Sequence, residues 1–275
     1  MRTEALLAGW GTSWLAGLAG LDQVLDVLDD PDTVPSRAQR VSGLDAASAG
    51  MSLPAALVAL RQQGARSLRV VLAVPGDPRG LPGTDPFTGR ALDAGAGVIV
   101  SGPAPWGLVA TGSTWSAYPT RPWRSGVLPG VHDAEQELRA AVAETTDALL
   151  GLDADPGSPE VRVDVDIDTT LRRTATAQCL LPPGVPPPVR SLFDLARRVA
   201  AIAAVAARTP TAPTGVRAMT QRAAALRRLS AAARLAEMAV WNSPAELLEQ
   251  TVGPLRPDPA RVFQNGTEDT PGIGG

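Results

Sequence analysis

Residues 68–74, Leu-Arg-Val-Val-Leu-Ala-Val, limit the fold of this chain more than any other segment. A short valine-rich run bounded by turn residues reads as a strand inside a sheet. It leads straight into a loop held by Pro75, Pro78, Pro82 and Pro86, where ring closure fixes φ and removes backbone donors. A strand that ends this way needs neighbouring strands and helices to cover them. The flanking sequence offers both. Ser52 stands as a cap before Leu53, Leu57 and Leu60, in a helix closed by Gly64. Asp85 followed by Pro86 starts a short helix that ends near Gly95. Val98–Val100, Leu108–Ala110 and Trp115–Tyr118 read as further strands, the last two joined by a tight turn. The fold class expected is α/β (mixed α+β): a small mixed sheet flanked by helices, followed by a helical C-terminal half.

The N-terminal segment predicts two helical pieces, the second over Leu21–Asp29 and stopped by Pro31. Trp10 and Trp14 lie four apart and share a helix face, which is core if buried and a partner surface if exposed. Beyond residue 132 the pattern is helical. Asp133 and Gln136 form a capping box ahead of Leu138, Val142, Thr145 and Leu149. Ser191 opens a helix with Leu192, Leu195, Val199 and Ile202, and residues 216–241 make a longer one. Ser243-Pro244-Ala245-Glu246 combines a capping box with proline at the first helical position, the signature of a new start. These signals divide the chain into a mixed region over 1–181, a stiff proline-rich linker over 182–188, a helical region over 189–253 packed on the first, and a tail over 254–275 expected to be disordered.

Composition excludes much chemistry. The 275 residues contain no lysine, so all 25 basic side chains are arginine. There is one histidine, His132, one cysteine, Cys179, and one tyrosine, Tyr118. A Schiff base and a phosphate-loop lysine are therefore ruled out, and His132 with Cys179 cannot supply a zinc site. Scarce Asn, Ile and Phe beside abundant Ala, Gly, Pro and Arg follow GC-rich codon usage, which accounts for the missing lysine without selection for function. The chemical consequence is unchanged: arginine stays protonated and grips carboxylates and phosphates with a two-pronged fork. Hydrophobic content of 44% and charged content of 19% describe a globular chain. The lone cysteine forms no internal disulfide, which fits a reducing cytoplasm. Ala5–Leu21 is uncharged but broken by Gly9, Gly11, Gly17 and Gly20, and does not read as a signal peptide. The longer uncharged stretch Ala94–Thr120, broken by Gly102, Pro103, Pro105, Gly107 and Gly112, suits buried strands and turns and not a membrane span.

The segment Val74–Gly83, Val-Pro-Gly-Asp-Pro-Arg-Gly-Leu-Pro-Gly between a strand and a helix, resembles one in an uncharacterised family of Ala/Arg-rich actinobacterial proteins. The likeness extends loosely over residues 50–240. It implies one inherited unit and brings no activity with it.

Three groups of residues are candidates for binding. Ligands in open α/β sheets sit beyond the carboxyl ends of strands, where Asp77, Arg79, Thr84 and Asp85 would meet a small anion. The plain alternative pairs Asp77 with Arg79. In Val161–Thr170, strict alternation sets Asp164, Asp166 and Asp168 on one face, a pattern that could hold Mg²⁺. It superficially resembles the DxDxT signature of haloacid dehalogenase-like phosphotransferases, but it lies late in the chain, follows a charged strand and has no lysine to serve it. The alternative is a half-exposed strand whose acids discourage edge pairing. Arg217, Arg227, Arg228 and Arg234 fall on one helical arc with no acid between Thr214 and Ala236, forming a track for phosphates or an acidic partner, or else a solvated face. Residues 189–275 carry an arginine excess while the rest is acidic, for a net charge of −3. His132 and Cys179 have no catalytic companion and GxSxG is absent. These features describe a cytoplasmic binding or regulatory protein with an unknown protein partner, no cofactor and no membrane. A small anionic ligand is the second possibility. The alternatives are a Mg²⁺-dependent enzyme acting on a phosphorylated small molecule, and nucleic-acid or acidic-partner binding through the arginine helix.

Overall fold

The computed structural model describes residues 2–29, 34–44, 50–123, 128–153, 181–208 and 215–252. Helices α1 (Thr3–Leu15) and α2 (Leu21–Leu28) lead to a single 3₁₀ turn, then to strands β1 (Arg40–Ser42) and β2 (Met51–Ser52). Helix α3 (Leu53–Gln62), β3 (Ser67–Val71), α4 (Pro86–Ala94), β4 (Gly97–Ser101), β5 (Trp106–Thr111) and β6 (Thr114–Pro119) follow. Three long helices complete the fold: α5 (Val131–Asp153), α6 (Pro187–Arg208) and α7 (Val216–Val252). The sheet is mixed, with order β2-β1-β6-β5-β4-β3, parallel only between β1 and β6.

Alternation along the strands builds two apolar layers. Leu68, Val70, Val98, Val100, Leu108, Trp115 and Ala117 face the main core with α1, α6 and α7. Val71, Ile99 and Val109 face the other way, against Phe87 and Ala91 of α4. Gly107 allows this closeness, because a Cβ there would lie 2.2 Å from the Phe87 ring. Trp14 is buried and Trp10 packs partly against the main core, so this pair is core and not a partner surface.

Strand β3 is an edge, and its outward backbone groups would be open to mispairing. Side chains close it. Thr12 Oγ1 accepts from Leu68 N at 2.9 Å and donates to Leu68 O at 2.8 Å. Asn242 Oδ1 accepts from Val70 N at 2.8 Å, while Nδ2 donates to Val70 O at 3.1 Å. Met238 Sδ lies 3.1 Å from Leu72 N. Helices α1 and α7 thus take the place of a seventh strand.

Several local expectations change. The strand after residue 66 ends at Val71, and Val74 instead forms a bridge with Asp77. Strands β1 and β2 lie between Pro31 and the Ser52 helix, where no strand is expected. Ser191 does not open α6, which begins at Pro187 within the expected linker; Ser191 Oγ donates back to Pro187 O at 3.2 Å. In the rest of that linker Pro182 and Val185 are buried, whereas Pro183 and Gly184 are exposed. Helix α5 begins at Val131, and Gln136 contacts the His132 ring at 2.9 Å instead of completing a cap. Ser243-Pro244 starts no helix, because α7 runs through it. Pro244 cannot donate to Val240 O, and Ser243 Oγ donates there instead, at 2.8 Å. The expected tail, 254–275, and the residue Cys179 lie outside the described residues.

Candidate functional site

The loop after β3 turns sharply at Gly76, whose φ of 87° suits glycine, and Asp77 N donates to Val74 O at 2.9 Å. This turn aims Asp77 back toward its own loop. Arg79 grips the carboxylate with both prongs, Nε to Oδ1 at 2.8 Å and Nη2 to Oδ2 at 2.9 Å. Arg234 of α7 donates to the same Oδ2. Arg79 also reaches Glu137 of α5, at 3.7 Å. The Arg79 hydrogen bonds, opposed by burial and helped by the charge of Arg234, hold the Asp77 pKa down at about 2.

Farther along, Asp85 caps α4. Its Oδ1 accepts from Thr88 N at 2.8 Å and its Oδ2 accepts from Thr120 Oγ1 at 2.7 Å. Burial works to raise the Asp85 pKa, but bonds from Thr88, Thr120 and Arg121 outweigh it and lower the value. Thr84 is exposed beside this cap. The loop therefore holds two separate arrangements, one at Asp77 and Arg79 and one at Asp85.

The four arginines of the expected arc part company. Arg234 joins Asp77, and Arg228 pairs with Glu144 of α5 at 2.5 Å. Arg217 and Arg227 are exposed, and neither forms an ion pair among the described residues. Asp164, Asp166 and Asp168 lie outside the described residues, within which no group of three His, Cys, Asp or Glu side chains is placed to hold a metal ion. An apolar cleft of about 170 Å³ lies between α1, residues 183–185 and the end of α7, lined by Thr12, Leu18, Val185, Pro244, Leu247 and Thr251 among others. That is below the roughly 300–1,000 Å³ of typical small-molecule sites, and no charged group lines it.

Sequence reasoning missed Arg69, Thr12 and Asn242. Arg69 broke the apolar run of its strand, which is a legible signal for a buried charge with partners. Thr12 and Asn242 carried only the faint signal of polar residues on otherwise apolar helix faces.

A family model for the N-terminal domain of Rv1486c-like proteins matches residues 4–127, and one for their C-terminal domain matches residues 132–238. The uncharacterized protein Rv1486c of Mycobacterium tuberculosis (strain H37Rv) is 34% identical over 278 residues, covering 84% of this chain and 93% of the relative. The chain belongs to the Rv1486c-like family. A Mycobacterium leprae relative, uncharacterized protein ML1804, is 28% identical over 290 residues, covering 86% of this chain and 95% of its own. No solved structure is a significant match. In terms of the family domains, Asp77 and Arg79 belong to the N-terminal one and Glu137 and Arg234 to the C-terminal one, so the ionic cluster spans their junction. Among the described residues of this Rv1486c-like chain, no helix is long and apolar enough to cross a membrane.

Proposed function

We propose that the protein acts by binding and not by catalysis, in the cytoplasm, with Asp77 serving as a fastener between its two domains. The observation that carries this reading is the double grip of Arg79 and Arg234 on one carboxylate. A general base works best with a pKa near the operating pH, whereas Asp77 stands at about 2. Its oxygens are directed at guanidinium groups within the protein, which leaves the loop a poor place for proton abstraction. Arg217 and Arg227 remain exposed on α7 and suit an acidic protein partner, or failing that a small anion. The net charge of −3 works against nucleic acid.

The test combines thermal unfolding with mass spectrometry on nucleotides and phosphorylated metabolites, with and without Mg²⁺. A ligand at a hundred times its dissociation constant adds about 2.7 kcal/mol of stability. Shifts without chemical conversion support binding. Conversion that disappears in Asp77→Ala would overturn the reading.

A further inference from the structure

Strand β3 carries one charged side chain, Arg69, which is 2% exposed. A guanidinium keeps its charge at any ordinary pH, so burying it is costly unless every part of it is met. Rigid neighbours make three contacts with Arg69. Nη1 donates to Ser67 Oγ at 3.1 Å and to Ser101 Oγ at 3.3 Å, on paired residues of β3 and β4. The guanidinium carbon lies 5.3 Å from the centre of the Trp123 ring.

The other terminal nitrogen is met differently. Nη2 lies 2.6 Å from Glu249 Oε1 without the alignment of a hydrogen bond. Glu249 is 42% exposed and reaches in from the end of α7, while its partner is wholly enclosed. Glu246, one turn earlier, shares the same charge: burial raises its pKa, Arg69 opposes that rise and Glu249 adds to it. The charge of Glu246 therefore still bears on the guanidinium when Glu249 leaves.

We propose that Arg69 is a carboxylate receptor, filled by Glu249 in the resting protein and by the carboxylate of a ligand when Glu249 swings out to water. This rests on the binding reading above and names a ligand class for it. The planar fork of arginine matches a carboxylate in shape and charge. The exchange conserves charge, since one carboxylate replaces another and Glu246 stays. Tethering gives Glu249 a high effective concentration, so an external carboxylate competes weakly against it. A small organic acid and the free C-terminus of a peptide share the required chemistry.

The test is a titration of the full chain with sodium acetate, balanced by chloride to constant ionic strength and read by tryptophan fluorescence. Glu249→Ala is expected to bind acetate at least about tenfold more tightly than the unaltered chain, because the tethered competitor is gone. Arg69→Met in that background should abolish the response. Should that variant fail to fold, Ser67→Ala with Ser101→Ala is expected to weaken acetate binding several-fold, and unchanged affinity there would count against the receptor. Equal affinity with and without Glu249, or no acetate response in folded Glu249→Ala, would overturn the proposal. A short peptide tested as free acid and as amide separates the two ligand sources, both of which support the receptor. Acetate binding is read without turnover, so its failure leaves the binding reading standing, and conversion at Asp77 would leave Arg69 untouched.

Discussion

Arg234 donates to Asp77 across the junction of the two family domains, on the same carboxylate that Arg79 holds from within the loop. Both side chains are largely shielded, at 18% and 19% exposure, so water screens the contact less than it would on an open surface. The pairing joins residues 157 positions apart, and it fixes the proline-rich loop against α7.

The grip of Arg79 on Asp77, opposed by burial and helped by the charge of Arg234, makes stability depend on acid. The folded-state pKa of Asp77, about 2, is below its ordinary value of 3.8, so the contribution is complete above that ordinary value and is lost as pH falls through about 2. The size of the shift corresponds to about 2 kcal/mol. Asp77→Asn lacks this component, so its stability is expected to fall by about that much less than the unaltered chain between roughly pH 6 and pH 2. Urea unfolding across this range measures the difference.

Removing Asn242 strips both groups of Val70 of their partners. Leaving a buried donor and acceptor unmet costs about 2–4 kcal/mol together, so Asn242→Ala should lower the urea midpoint markedly. The same variant opens the β3 edge and is expected to self-associate, which light scattering would show. Undiminished stability would mean that the edge is closed by other means.

Ser243 stands in for the N–H that Pro244 lacks. Ser243→Ala is therefore expected to cost about 1 kcal/mol, and distinctly less in a Pro244→Ala background, where residue 244 can donate to Val240 itself. Additive effects in thermal unfolding would refute this account of the unbroken helix.

Phe87 lies where any side chain at residue 107 would stand. Gly107→Ala is expected to destabilise by about 1–3 kcal/mol through overpacking, and Phe87→Leu should recover part of the loss. A calorimetric comparison of the single and double variants reads this directly.

What could be read from the sequence was local. The presence of β3, the Asp85 cap with Gly95 closing its helix, and the turn between β5 and β6 each rest on residues within a few positions of one another. Strands β1 and β2 were hidden because they are very short, and β1 gains its place by pairing with β6 more than seventy residues later. Ser243-Pro244 misled because a capping box and a proline-compensating hydroxyl look alike without the preceding turn in view. Asp77 and Arg79 were legible as a pair, whereas the third partner, Arg234, depended on how α7 crosses the sheet.

The most direct measurement of the fastener is a double-mutant cycle between Asp77→Asn and Arg234→Met, followed by urea unfolding near neutral pH. A coupling energy of about 1–3 kcal/mol is expected, with the double variant little worse than either single one. Additive losses would show that the two residues do not act on each other, and that Asp77 does not join the domains.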